Sequence, residues 1–305
     1  MPTRRDVLRG AGAAGLAALP ARGGDGPDPY RRETIKLPGD EANLTVELLS
    51  LEVVRESPAV VLVLGRAPES SQVPTWAAAL MADARATLAW VEAEFPPDPD
   101  PARRPAWLHF DARFAHMYAQ IVERTPGVVA RVLDALITRR EFRSARFGMM
   151  GVSTTGIAAL AAACREPRME SAVAFVATGA VLAWLETWKP NGLWKGNPDE
   201  PFWPETLAIL EQHDPVKHAA GLKGKRVLLV SGALDKVVDP AAQRVFFEAA
   251  RAHLAPERFE DLRFVVYEGF AHNLPADAIE LEAGPWFRKT LSGQSPSKPG
   301  VSRST

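Results

Sequence analysis

Three short stretches carry side chains able to do chemistry together. Gly151-Val152-Ser153-Thr154-Thr155-Gly156 sets a serine hydroxyl between glycines, Gly232-Ala233-Leu234-Asp235 ends on a carboxylate, and Gly269-Phe270-Ala271-His272 ends on an imidazole. A serine hydroxyl alone is a poor nucleophile. It becomes an effective one when a histidine removes its proton and a carboxylate holds that histidine in the right tautomer. The chemistry on offer is acyl transfer. As a string, Gly-x-Ser means little, because Gly293-Gln294-Ser295 and Gly300-Val301-Ser302 match it as well. Asp235 also has a competitor in Asp239, which precedes Pro240 and suits a helix cap. Position relative to the surrounding elements has to separate these cases.

Short apolar runs alternate with longer helical stretches, the sign of a mostly parallel sheet with helices on both faces. Strands are expected at 34–37, 44–53, 59–64, 87–94, 146–150, 172–177, 227–230 and 262–268, and helices at 75–84, 126–137, 154–164 and 240–253. Pro96 to Pro105, with five prolines, reads as a loop. About eight strands and five or six helices make one doubly wound α/β domain over residues 33–291. Only Ser153 follows an apolar strand and opens a small-residue helix, so only it can sit on a sharp strand-to-helix turn that lifts a hydroxyl above the sheet. There the next amide, that of Thr154, faces the place where an oxyanion would form. Asp235 and His272 fall in loops after two later strands, at the carboxyl edge where parallel sheets bind ligands. Asp235 is preferred to Asp239 because of its distance from the strand.

The residues Arg146-Phe147-Gly148-Met149-Met150-Gly151-Val152-Ser153, Gly232 to Val238 and Gly269 to His272 resemble the α/β-hydrolase superfamily. The nearest branch is that of dienelactone hydrolases and prolyl-oligopeptidase-like esterases. The resemblance implies Ser153 as nucleophile, His272 as base, Asp235 as the orienting acid, and no metal or organic cofactor. It implies a serine hydrolase acting on a carboxylic ester of a small molecule. A peptidase or thioesterase using the same triad is the alternative, and a non-catalytic binding protein of this fold is the alternative from another class.

Two departures stand out. The pattern usually has glycine two residues after the serine, where this chain has Thr155, with Gly156 next. The loop after the third strand reads Leu64-Gly65-Arg66-Ala67 where His-Gly is common. Its backbone can still give the second oxyanion donor, from Arg66 or Ala67, because that role needs an amide and not a side chain.

Residues 180–205 hold Trp184, Trp188, Trp194 and Trp203, four of the eight tryptophans, where this fold commonly carries a lid. They suit an aromatic wall around the substrate, or equally the packing of the insertion onto the body. His109, Asp111 and His116 fit no compact zinc spacing, and His213 and His218 read as surface groups. Arg66 reads as solvated, with a carboxylate contact as the alternative.

A net charge of −1 gives no electrostatic reason to expect nucleic acid or an anionic membrane as partner. A single cysteine, Cys164, excludes an internal disulfide. Residues 1–21 have the parts of an export signal: Arg4-Arg5, a short apolar stretch to Leu19, and Ala21 where a peptidase could cut. Paired arginines followed by Val7-Leu8-Arg9 suit the twin-arginine type and a periplasmic or extracellular destination. The apolar stretch is too short to span a membrane, which takes about 20 residues. Residues 22–32 read as a linker and 292–305 as a frayed tail. Oligomeric state is not legible.

Overall fold

The computed structural model describes residues 30–37, 44–51, 57–65, 67–68, 73–92, 110–197, 199 and 201–291. The expected signal at 1–21, most of the linker, the proline-rich loop at 96–105 and the tail lie outside the described residues, as do Arg66 and His109.

Eight strands form one mixed sheet: β1 (Tyr30–Leu37), β2 (Leu44–Leu51), β3 (Ala59–Leu64), β4 (Ala86–Glu92), β5 (Arg146–Val152), β6 (Met169–Phe175), β7 (Arg226–Gly232) and β8 (Leu262–Tyr267). Their order across the sheet is β1-β2-β4-β3-β5-β6-β7-β8. The pairs β1/β2 and β2/β4 are antiparallel, and the rest are parallel. The helices are α1 (Thr75–Ala84), α2 (Ala112–Ile137), α3 (Thr154–Arg165), α4 (Val181–Glu186), α5 (Pro204–His213), α6 (Pro240–Arg251) and α7 (Ala278–Leu291).

The unbroken apolar run of β3 shows why the sheet is covered on both sides. Side chains alternate across a strand, so Val60, Leu62 and Leu64 enter one core with α2, α3, α4 and α6, while Ala59, Val61 and Val63 enter the other with α1 and α7. A strand with one wet face would have alternated polar residues instead.

Several elements differ from the expectation, and two of the differences concern long helices. The helix expected to begin at Pro126 begins fourteen residues earlier, after Asp111, whose carboxylate accepts from the N–H groups of Arg113 and Phe114 at 3.1 and 3.0 Å. Pro126 lies inside this 26-residue helix. It has no N–H to offer the preceding turn, a loss of about 3 kcal/mol in an isolated helix. That cost is offset by a buried face running from Phe114 through Tyr118, Ile121 and Val122 to Val129, Leu133 and Leu136. Tertiary burial overrides the local breaker. The second difference is α7, which was not expected. It packs Trp286, Phe287 and Leu291 under the sheet, and the Trp286 indole donates to Ser171 Oγ at 3.1 Å.

In chain order β4 lies on one side of β3 and β5 on the other, so the connections reverse direction between β3 and β5. Such a switch point opens a crevice at the carboxyl ends of the strands. The loop after β3 and the turn after β5 border it.

Candidate active site

Ser153 occupies the turn between β5 and α3 with φ 52° and ψ −119°. A left-handed φ on a residue with a Cβ is strained by about 1–3 kcal/mol and persists only where its surroundings over-determine it. Here Ser153 N–H donates to Phe175 O at 2.8 Å, and Ser153 O accepts the first helical bond from Ile157 N–H at 3.0 Å. The turn is tight because helix and strand nearly touch. A Cβ on Gly151 would meet Thr155 O at 2.2 Å, and one on Gly156 would meet the Cβ of Ala177, just past β6, at 2.6 Å.

Although Ser153 is the residue before a helix, its hydroxyl makes no capping hydrogen bond. It points to the base: Ser153 Oγ is 3.0 Å from His272 Nε2, and His272 Nδ1 is 2.9 Å from Asp235 Oδ2. The Asp235 side chain is wholly buried and that of His272 is 13% exposed. The second carboxylate oxygen, Oδ1, accepts from Val237 N–H at 2.8 Å and Val238 N–H at 3.0 Å. A buried carboxylate requires such partners. Asp239 does something else: its Oδ1 accepts from Ala241 N–H at 2.8 Å and caps α6. The loops after β7 and β8 are tied together by Leu234 N–H to Phe270 O at 2.8 Å. This is possible because Gly232 leaves room, a Cβ there meeting Ala271 O at 2.2 Å.

Residues 237–238 are held from two further directions. The Trp184 indole donates to Val237 O at 2.6 Å, and the Gln243 amide donates to Val238 O at 3.1 Å and to Ser231 Oγ at 2.8 Å. On the nucleophile side, Tyr118 from α2 brings its hydroxyl to 2.8 Å from Thr154 Oγ1. Burial pushes the Tyr118 phenol up to about 12, so it stays a neutral hydroxyl. Neither contact is legible in the sequence. Tyr118 lies in the half of α2 hidden by the Pro126 signal, and a tryptophan's carbonyl partner 53 residues away leaves no local trace.

Thr154, first residue of α3, presents an amide among the unpaired N–H groups of a helix start. Ala67 lies on the loop after β3, and the neighbouring Pro68 carbonyl accepts from Arg32 Nη1 at 3.0 Å, which pins that loop to β1. Trp184 and Trp188 are buried in the core, in edge-on contact with each other at 5.0 Å between centroids, and Trp188 also meets Phe110 and Phe114. Trp194 and Trp203 are half-buried, Trp194 near Trp188 and Trp203 beside His116. Trp184, Trp188 and Trp203 thereby meet Tyr118, Phe114 and His116 of α2.

Asp111 is the cap of α2, and His116 meets Thr206 Oγ1 and Gln120 Nε2 at 3.0 and 3.1 Å. His213 Nδ1 lies 2.7 Å from Arg165 Nη1, and burial followed by the arginine charge lowers its pKa. His218 Nε2 donates to Gln212 O at 2.7 Å. Among the described residues no cluster of His, Cys, Asp and Glu is arranged to hold a metal, and no helix is long and apolar enough to cross a membrane.

No known family profile and no curated protein sequence matches the chain. Solved structures do match. A puromycin-hydrolyzing peptidase of Mycobacterium tuberculosis superposes with a TM-score of 0.60 at 18% identity over 88% of this chain, which spans 40% of that protein's length. Acetyl xylan esterase 1 of Thermoanaerobacterium sp. gives 0.58 at 17% identity, covering 93% of this chain and 91% of the esterase. A cold-adapted esterase from an Arctic intertidal metagenomic library gives 0.57 at 12%, covering 88% and 97%. All are α/β-hydrolases, and this chain has the α/β-hydrolase fold.

Proposed function

We propose that this protein is a serine hydrolase that cleaves a carboxylic ester of a small molecule through an acyl-enzyme on Ser153. The observation that supports it is the unbroken run Ser153 Oγ, His272 Nε2, His272 Nδ1, Asp235 Oδ2, with links of 3.0 and 2.9 Å and a wholly buried carboxylate at its end. In this reading His272 Nε2 takes the Ser153 proton as Oγ attacks the ester carbonyl. Thr154 N–H and an amide from Arg66 or Ala67 hold the resulting oxyanion. The tetrahedral intermediate collapses, His272 returns its proton to the departing alcohol, and a water deprotonated by the same imidazole then hydrolyses the acyl-serine. Asp235 keeps the ring's Nδ1 protonated throughout.

Esterases and peptidases both share this fold, at TM-scores of 0.57 and 0.58 for two esterases and 0.60–0.65 for four peptidases, so the assay has to separate an ester from a peptide substrate. A panel of short and long p-nitrophenyl esters beside peptide anilides tests this. Turnover of esters that is abolished by Ser153→Ala is expected, and faster cleavage of the anilides would make the protein a peptidase. Failure of both panels to respond would favour a binding protein of this fold. The paired arginines and short apolar stretch of residues 1–21 support export through the twin-arginine route. A reporter fused to residues 1–30 should leave the cytoplasm and should stay there when Arg4 and Arg5 are both replaced by lysine.

A further inference from the structure

Thr155 stands where the pattern this turn resembles usually has glycine, and its side chain makes bonds that glycine cannot make. On one flank β5 is paired with β3 only as far as Val63 opposite Met150. Beyond it Gly65 turns away and gives its N–H to Val91 O on β4. On the other flank β5 stays paired with β6 through Val152 opposite Phe175. Alternate residues of a strand direct their backbone groups to opposite flanks. Ser153 N–H faces β6, where it bonds Phe175 O, so Val152 faces the flank that β3 has left. The Thr155 hydroxyl fills that place: it accepts from Val152 N–H and donates to Val152 O, both at 2.9 Å. One hydroxyl thus replaces the missing strand at the last residue before the nucleophile.

A second anchor holds the other side of the turn. Thr154 Oγ1 is bonded to the buried Tyr118 hydroxyl on α2, a helix packed along α3. Ser153, in its left-handed conformation, lies between the Val152 bonds and the Thr154 bond. Releasing either anchor lets the turn relax and moves both Ser153 Oγ and the Thr154 amide. A misplacement of about 1 Å near reacting atoms can cost as much as a hundredfold in rate.

We propose that Thr155 is a positioning residue which, with the Tyr118–Thr154 bond as its counterpart, clamps the strained turn so that the Ser153 hydroxyl and Thr154 amide stay aligned for acyl transfer. The proposal rests on the serine-hydrolase reading of the site. The close approach of α3 to β5 is met by Gly151, where a Cβ would lie 2.2 Å from Thr155 O, so the side chain of position 155 is free to carry a hydroxyl.

The test is the second-order rate of labelling of the full chain by a fluorophosphonate, well below the melting temperature, for wild type, Ser153→Ala, Thr155→Val, Thr155→Ser and Tyr118→Phe. Thr155→Val keeps the branched shape and removes the hydroxyl, and its rate should fall about ten- to a hundredfold. Thr155→Ser restores the hydroxyl and should label within about threefold of wild type. Tyr118→Phe keeps the ring and should lose a similar factor to Thr155→Val, which keeps the proposal testable if the valine variant does not fold. A merely structural role would lower the melting temperature of these variants and leave the labelling rate of the folded protein alone. That outcome, with wild type labelled at Ser153, overturns the clamp and spares the hydrolase reading. A wild type that takes no label at Ser153 overturns both.

Discussion

Replacing Asp235 by asparagine sets two backbone amides against one imidazole, and the outcome can be worked out from the hydrogen bonds. Asp235 Oδ1 accepts from Val237 and Val238 N–H, Oδ2 faces His272 Nδ1, and no part of the side chain is exposed. Asparagine has the same shape and only one acceptor oxygen. The two N–H groups claim it, because turning the NH₂ toward them would put donor against donor twice. The NH₂ then lies against Nδ1, which must give up its proton to accept. The ring proton moves to Nε2 and points at Ser153 Oγ, 3.0 Å away. His272 is then a donor where a base is needed. A wrong tautomer of this kind costs about 10⁴ in kcat in a comparable triad, which is about 5.5 kcal/mol at 1.36 kcal/mol per tenfold. Asp239→Asn is the matched control. Asp239 caps α6 through Ala241 N–H, so its replacement should leave kcat/KM within about threefold and cost at most about 1 kcal/mol of stability. The assay is kcat/KM on the best p-nitrophenyl ester, with fluorophosphonate labelling as an independent reading. The reasoning is refuted by an Asp235→Asn variant within tenfold of wild type, or by the larger loss falling on Asp239→Asn.

Other consequences are as specific. Gly156→Ala should lower stability by about 1–3 kcal/mol by overpacking, since its methyl meets that of Ala177 at 2.6 Å. Adding Ala177→Gly should recover part of the loss, and thermal melts of the four proteins measure that coupling. The Glu166 carboxylate, bonded to Arg168 Nε and Nη2 at 2.8 Å each, is held below the usual glutamate range chiefly by that hydrogen bond. A depressed folded pKa contributes stability that is complete above the unfolded value, about 4.3, and is lost as pH falls through the folded value. Urea midpoints followed downward from about pH 6 should therefore drop less steeply for Glu166→Gln than for wild type. The Cys164 thiol, pushed up to about 12 first of all by burial, should resist a disulfide reagent at neutral pH until the protein is unfolded. Rapid modification of the native chain would contradict its placement.

What the sequence disclosed follows from the range of each signal. β3 and α1 were legible to the residue, because an unbroken apolar run and an alanine-rich helix are local patterns. The meeting of Ser153, Asp235 and His272 at one place was legible because each lies beyond the end of its strand, and parallel strands bring such loops to one edge. The first half of α2 was not, because Pro126 is a strong local breaker whose cost is met by burial that only the folded chain provides. Thr155 reads in the sequence only as a departure from the usual glycine. Its two bonds to Val152 depend on where β3 stops, and no spacing in the sequence encodes that. The sequence leaves Trp184 free to face either the substrate or the core. It is buried in the core, where its indole holds the carbonyl of Val237 in the loop that carries Asp235.

The central claim is that Ser153 forms an acyl-enzyme with His272 and Asp235 as its activating pair. Its most direct test is rapid acid quenching of the protein mixed with p-nitrophenyl acetate, followed by peptide mapping by mass spectrometry. A burst of p-nitrophenolate is expected, with an acetyl group on the peptide containing Ser153, absent in Ser153→Ala and slowed by orders of magnitude in His272→Ala. An acetyl group on another residue, or turnover that survives Ser153→Ala, would contradict it.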